Sequence, residues 1–326
     1  MIQPVTKNVA TSPACLACGG ARSEPWTVAR DVEYHTTSDV FTYHRCDHCG
    51  VLFIDPVPDG RLAEIYPGNY YSYAAPGGSP VHAVKSLLDR RFFRAILGRL
   101  QGDELSVFDV GGGAGWELAA LRSADARVKH TQVVDLDPHA QKLAEQNGHT
   151  YYCGRIEDFD SERRFDLIVL LNLIEHVRDP REVLRKVKDL LSPGGIILIK
   201  TPNWQALDAK VFRQNSWAGL HCPRHWVLFT RESFRSLAED VGLNVEAATY
   251  TQGAPFWAAS VLAWLAERGW VHISSERPVV YHPLFGPLAA LFAAFDFVRR
   301  PFAKTSQMFF VLGHAGSRMV PLNSRR

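Results

Sequence analysis

Four cysteines stand in two matched pairs, Cys15-Leu16-Ala17-Cys18 and Cys46-Asp47-His48-Cys49, each followed by a glycine. A C-x-x-C turn puts two thiolates on one ion, and two such turns complete a tetrahedral set. Four thiolates leave no open coordination position, so a structural Zn²⁺ on Cys15, Cys18, Cys46 and Cys49 is expected. A second feature is the turn Asp109-Val110-Gly111-Gly112-Gly113-Ala114-Gly115, which follows an apolar run. Glycines are needed where the backbone takes positive φ or lies directly against a ligand. A helix starting just past such a turn offers free N–H groups to a polar ligand. The third feature is a set of imidazoles: Glu175-His176, and His221 and His225 in the loop His221-Cys222-Pro223-Arg224-His225. Histidines in such loops serve as bases or substrate contacts, or simply fix the loop by backbone hydrogen bonds.

Elements that would position these groups follow from the hydrophobic pattern. Short strands at 26–29 and 40–44 lie between the cysteine pairs, giving a zinc-ribbon-like module over 1–66. An aromatic strip (Tyr66, Tyr70, Tyr71, Tyr73) follows. Then comes a helix over 84–100 with Leu87, Leu88, Phe92, Ile96, Leu97 and Leu100 on one face, so that 67–104 reads as linker and packing helix. From 105 strands and helices alternate, as in a parallel α/β sheet. Strands are expected at 105–110, 130–136, 150–153, 165–171, 195–200 and 243–250. Helices are expected at 114–122, 138–146, 180–191 and 230–240, the second opening on Pro138 and the last capped by Thr230. A final strand over 307–312 leaves 253–305 as an apolar helical insertion in a domain spanning 105–315, with a tail at 316–326.

The glycine spacing is not the G-x-G-x-x-G of dinucleotide sites, because Gly115 comes one residue early. It resembles the D-x-G-x-G-x-G motif of class I S-adenosylmethionine (SAM) methyltransferases. The stretch Phe165-Asp166-Leu167-Ile168 through Leu173-Ile174-Glu175-His176-Val177-Arg178-Asp179-Pro180 is similar to that family's FD-x-I and LEHV-x-DP segment. Leu191-Ser192-Pro193-Gly194-Gly195 matches its L-x-PGG turn. The resemblance covers most of 106–250. The ribbon with a following CG-x-x-F-x-x-P-x-P resembles a module found ahead of bacterial small-molecule methyltransferases. It implies a Rossmann-like, doubly wound, seven-stranded sheet with an antiparallel seventh strand. It also implies SAM as cofactor: Gly111, Gly113 and Gly115 against its methionine part, Asp109 orienting the turn or the ammonium group, Asp135 on the ribose, and Leu171 and Asn172 beside the sulfonium. Gly154 is followed by Arg155 where the family often has an acid for the adenine, which leaves Glu157 or Asp158 for that contact. In similar quinone O-methyltransferases a Glu-His pair helps hold a divalent ion, but the acid three residues earlier is Asn172 here. His225, His221 and His176 are the candidate catalytic residues, His221 and His225 as general base or substrate contact.

Composition narrows the class. With 326 residues, 46% hydrophobic and 21% charged, the chain has an ordinary globular make-up. A net charge of +2 gives no general case for a nucleic-acid partner, so an RNA methyltransferase is the lesser reading, beside a non-catalytic SAM-binding protein. Residues 1–14 lack an apolar secretory core, and a cytoplasmic location is expected. The expected acceptor is a small or lipid-like molecule (sugar, quinone, polyketide or lipid), methylated at oxygen. The insertion reads as a lid, a dimer face, or a peripheral membrane contact through 253–300.

Overall fold

The computed structural model describes residues 12–70, 80–213 and 216–316. The N-terminal module is built on an antiparallel hairpin, β1 (Ser23–Ala29) and β2 (Phe41–Cys46), to which β3 (Leu52–Asp55) adds a third strand. Alternation along β2 buries Phe41 and Tyr43; it breaks at the strand end, where Arg45 is exposed and Cys46 is buried. A short helix α1 (Leu62–Ile65) leads to Tyr66 and Tyr70; Tyr71 and Tyr73 lie outside the described residues, as does most of the tail. Helix α2 (Pro80–Leu97) then meets the second domain. Its C-terminal part does so: Phe93, Ile96 and Leu97 are buried with Leu118 and Leu121, whereas Leu87 and Leu88 of the expected apolar face are 68% and 61% exposed.

The second domain runs β4 (Leu105–Val110), α3 (Trp116–Ala124), β5 (Val128–Asp135), α4 (Pro138–Gln146), β6 (Thr150–Cys153), β7 (Phe165–Leu171), α5 (Pro180–Leu190) and β8 (Leu191–Pro202). After it come α6 (Leu207–Val211), β9 (Val227–Leu228), α7 (Arg231–Asp240), β10 (Leu243–Thr251), α8 (Ala254–Ala266), α9 (Phe285–Arg299) and β11 (Gln307–His314). Seven strands form one sheet in the order β10-β11-β8-β7-β4-β5-β6. Strand β11 enters between β8 and β10, antiparallel to both. Order reverses between β4 and β7, the switch point beyond which ligands sit in such sheets. Strands β7 and β8 are buried through most of their length, which explains their near-continuous apolar sequences.

Local chemistry accounts for the helix starts. Asp137 and Asp179 cap α4 and α5, each before a proline that needs no donor, and Thr230 with Ser233 closes a reciprocal capping box on α7. Helix α3 begins at Trp116 rather than 114, because Gly115 at φ +79° is still part of the turn. Of the two cysteines outside the paired set, Cys222 is buried and Cys153, at the end of edge strand β6, is exposed. The two sheets are not separate. Strand β9, from the histidine loop, pairs antiparallel with β3 and completes the N-terminal sheet.

Candidate active site

The glycine turn sits at the carboxyl end of β4, beside the switch point. Its glycines have different tasks. A Cβ on Gly111 would stand 2.7 Å from Leu173, one on Gly112 2.6 Å from the Asp109 carboxyl, and one on Gly115 2.5 Å from His149. These positions are closed by the protein's own packing. Gly113, at φ +50°, faces open space, so its smooth surface is available to a ligand. Asp135, at the end of β5, accepts the Gly113 N–H at 2.8 Å on one oxygen and the Asp137 N–H at 3.0 Å on the other. Burial raises the Asp135 carboxyl despite these donors. Asp109 is buried with Oδ2 unpartnered; burial, then Glu117 and Asp135, push its pKa well above the carboxylate range. An unpaired carboxyl beside an open glycine is a place for a cationic group. Leu171 ends β7, and Asn172 follows at φ +58°, its Oδ1 accepting from Gln307 at 3.2 Å. That kink throws Leu173 over the glycine turn and carries the chain to Glu175 and His176.

Beyond Leu173 lies a buried polar cluster. The rings of His176 and His225 are 4.6 Å apart, those of His221 and His225 5.0 Å. Glu175 is fully buried; Oε2 accepts from Thr201 at 3.0 Å, while Oε1 has no hydrogen-bond partner and stands 4.0 Å from His225 Nε2. Burial pushes Glu175 up to about 8. His225 gives its Nδ1 proton to the Gly219 carbonyl at 2.8 Å, since a carbonyl can only accept, so Nε2 carries the lone pair. Burial, then the neighbouring imidazoles, holds His225 well below the usual histidine range. His176, with Nδ1 2.9 Å from the Tyr66 hydroxyl and 3.0 Å from the Arg224 carbonyl, is likewise held down, to about 3. Donor atoms of Glu175, His176 and His225 lie within 4.8 Å of one another, close enough to meet on one cation.

His221 differs. Its Nδ1 lies 2.8 Å from the Glu33 carboxylate and its Nε2 3.0 Å from the Tyr70 hydroxyl, so Glu33, His221 and Tyr70 form a relay. With Nδ1–H donated to Glu33, Nε2 is the basic nitrogen. The positive-φ backbone at His221 (φ +40°) is held by a frame of long-range bonds. Arg224, fully buried, pairs with Asp31 at 2.8 Å, donates to the Ile65 carbonyl at 2.6 Å and lies 4.6 Å from the Tyr34 ring. Tyr43 donates to the carbonyls of Leu220 and His225. Glu33, Asp31, Tyr43 and Arg224 were not picked out by sequence reasoning; their only signal is the contact across more than 150 positions.

The other expected sites separate. Sγ atoms of Cys15 and Cys49, and of Cys18 and Cys46, lie 3.6 Å apart, near the ~3.8 Å edge of a tetrahedron with metal–sulfur bonds of ~2.3 Å. All four thiols fall within 4.8 Å. His48 is exposed, and His44 is half-buried against Phe53. Glu157 is half-buried and Asp158 exposed on the turn after β6, lining a cleft of about 500 Å³ with Arg155, Arg178 and Glu182. Arg155 pairs with Asp59 at 2.6 Å, so the residue standing where an acid was expected fastens the N-terminal module to this edge.

Comparison with known proteins supplies the family. The chain is 33% identical over 112 residues to a ubiquinone biosynthesis O-methyltransferase of Bradyrhizobium sp. (strain ORS 278), 31% of this chain and 42% of that protein. It is 34% identical over 143 residues to one of Actinobacillus pleuropneumoniae serotype 7, 39% of this chain and 58% of that protein. It thus spans about half the length of these curated relatives. A solved structure of coclaurine N-methyltransferase is similar at 13% identity and a TM-score of 0.49, over 78% of this chain and 81% of that one. A model of the methyltransferase domain matches residues 82–248, half of the chain, and the protein belongs to that methyltransferase family.

Proposed function

We propose that the protein transfers a methyl group from SAM to a hydroxyl of a small molecule, with His221 as the proton acceptor. The observation that carries this reading is the pairing of an open glycine cradle with a carboxylate-backed histidine at the same end of the sheet. Gly113, the unpartnered Asp109 oxygen and Asp135 suit the backbone, ammonium and ribose parts of SAM, with Leu171 and Asn172 bordering the sulfonium. When bound, SAM supplies an already activated methyl group, so the chain's task is alignment and proton removal. With SAM bound, His221 Nε2 would accept the proton of the hydroxyl being methylated, directly or through the Tyr70 hydroxyl. Glu33 steadies the resulting imidazolium. His225 and His176 are held neutral by burial and suit hydrogen bonding to the acceptor better than proton removal. The names of the curated relatives favour oxygen as the methylated atom. We assign the four thiols to a structural Zn²⁺.

The test is transfer of labelled methyl from SAM into hydroxylated small molecules of an extract, with Glu33→Gln alongside. Proton-transfer groups contribute roughly 10²–10⁴-fold, so Glu33→Gln should lower kcat on that scale and leave SAM affinity unchanged. Absence of SAM binding by calorimetry on folded protein would sink the reading.

A further inference from the structure

The insertion between β10 and β11 holds two apolar helices with opposite fates. Helix α8 is covered: Trp257, Ala258, Leu262 and Ala263 are buried against the core. Helix α9 lies outside it, with Phe292 stacked on Trp257 at 4.9 Å. Unlike an ordinary surface helix it is apolar on both sides, with Phe285, Leu288 and Phe292 turned inward. The one carboxylate of α9, Asp296, is fully buried, accepting from the Gly253 N–H at 2.9 Å and from Arg299 at 2.9 Å. The outward residues, by contrast, are apolar: Leu291, Phe297 and Val298 are 61%, 71% and 69% exposed, with Pro287, Ala290 and Ala294 on the same side. Phe302, just past the helix, is 88% exposed. Charge on the exposed side comes from Arg300, just past the helix end, and from Lys304, which also reaches Gln205 at 2.6 Å, whereas Arg299 is turned onto Asp296 and the Phe295 ring.

An apolar stripe four turns long is a docking face. An apolar face whose exposed charges are basic and gathered at one end has the make-up of a helix lying in a membrane interface. We propose that α9 and Phe302 seat this protein on an anionic lipid surface, the aromatic and aliphatic side chains entering the headgroup boundary and Arg300 and Lys304 meeting the phosphates. Charge decides the occupant: a second copy of the same face would bring like cations together, whereas an anionic lipid surface complements them. The burial of Asp296 removes the one group on the helix that such a surface would repel. No helix among the described residues is long and apolar enough to cross a membrane, so the contact is peripheral.

The loop between the two helices connects this face to the candidate active site. Val279 N donates to the Glu33 carbonyl at 3.1 Å, and Tyr281 Oη donates to the Asn69 carbonyl at 3.2 Å. A protein lying on α9 would therefore hold the relay of Glu33, His221 and Tyr70 close to the lipid boundary.

The test is flotation of the full chain with vesicles of phosphatidylcholine alone or with 30% phosphatidylglycerol (~30%, enough to give a negative surface). The wild type should float with the anionic vesicles, lose binding as salt rises, and bind the neutral ones at least about tenfold less. Phe297→Ser with Phe302→Ser should cut anionic binding at least about tenfold, because interfacial affinity follows buried apolar area. Both residues are exposed, so the melting temperature should hold; Arg300→Glu should weaken binding without touching apolar area. Failure of the wild type to float, binding unchanged in the double variant, or a dimer in light scattering that Phe297→Ser disrupts without any lipid affinity would each overturn the proposal.

Discussion

Asp31→Asn tests whether one buried ion pair fixes the histidine loop. The Asp31 carboxylate accepts from Tyr34 N at 2.9 Å on Oδ1, and from Thr36 N at 3.0 Å, Thr36 Oγ1 at 2.6 Å and Arg224 Nη2 at 2.8 Å on Oδ2. An amide accepts on one side only, so either orientation sets an N–H₂ against donors and leaves Arg224 buried without its counter-charge. Breaking one partner of a buried pair costs about 3–5 kcal/mol. A second route gives a similar scale. Burial alone would raise the Asp31 pKa, but Arg224 outweighs it and holds the carboxyl at about 2. Against ~3.9 in the unfolded chain, and at 1.36 kcal/mol per unit, this is roughly 2–3 kcal/mol. Because the folded pKa is the depressed one, that stability is present above pH ~3.9 and is lost as pH falls towards 2. The assay is urea unfolding of wild type, Asp31→Asn, Arg224→Met and the double variant. Each single variant should lose about 3–5 kcal/mol, and the double should lose much less than the sum. A loss below about 1 kcal/mol for Asp31→Asn, or additive losses, would refute the idea that this pair carries the loop.

Glu175 titrates in the opposite sense. Its folded pKa of about 8 lies above the unfolded value, so stability should fall as pH rises from ~4.5 to about 8 and level off beyond it. Glu175→Gln should flatten that slope in thermal melts taken across the range. In the glycine turn, Gly113→Ala should weaken SAM binding at least about tenfold in calorimetry for roughly 1–2 kcal/mol of stability. Gly111→Ala and Gly115→Ala, which collide with Leu173 and His149, should lower the melting temperature more. Metal analysis should find one zinc per chain, lost in Cys46→Ser together with the cooperative unfolding of the first domain.

How much of this was readable from sequence depended on the range of the interaction. Strands β4, β6 and β7 and the starts of α4, α5 and α7 follow from apolar runs and capping residues a few positions apart, and the sequence pattern locates them within a residue or two. The glycine turn and the thiol pairs carry their spacing in the chain. The relay did not: Glu33 and Tyr70 are ordinary residues until folding sets them on either side of His221. Periodicity also fails to say which side of a helix meets the core. The apolar pattern of α2 places Leu87 and Leu88 inside, yet both are exposed; α9 is apolar on both sides, and while Asp296 turns in to the Gly253 N–H, Leu291, Phe297 and Val298 face out.

The pairing of β9 with β3 bears on how the protein is made. Synthesis runs from the N-terminus, so β3 leaves the ribosome as an open strand edge long before its neighbour exists. Tyr43 waits for carbonyls 177 and 182 positions downstream. Contacts so distant in sequence close slowly, since chain entropy must be overcome before they yield any return. The thiol pairs need only residues 15 to 49 and can lock early. The first module is therefore a template that takes up the histidine loop late, and a nascent chain halted before Leu228 would expose the edge of β3 to any other strand nearby.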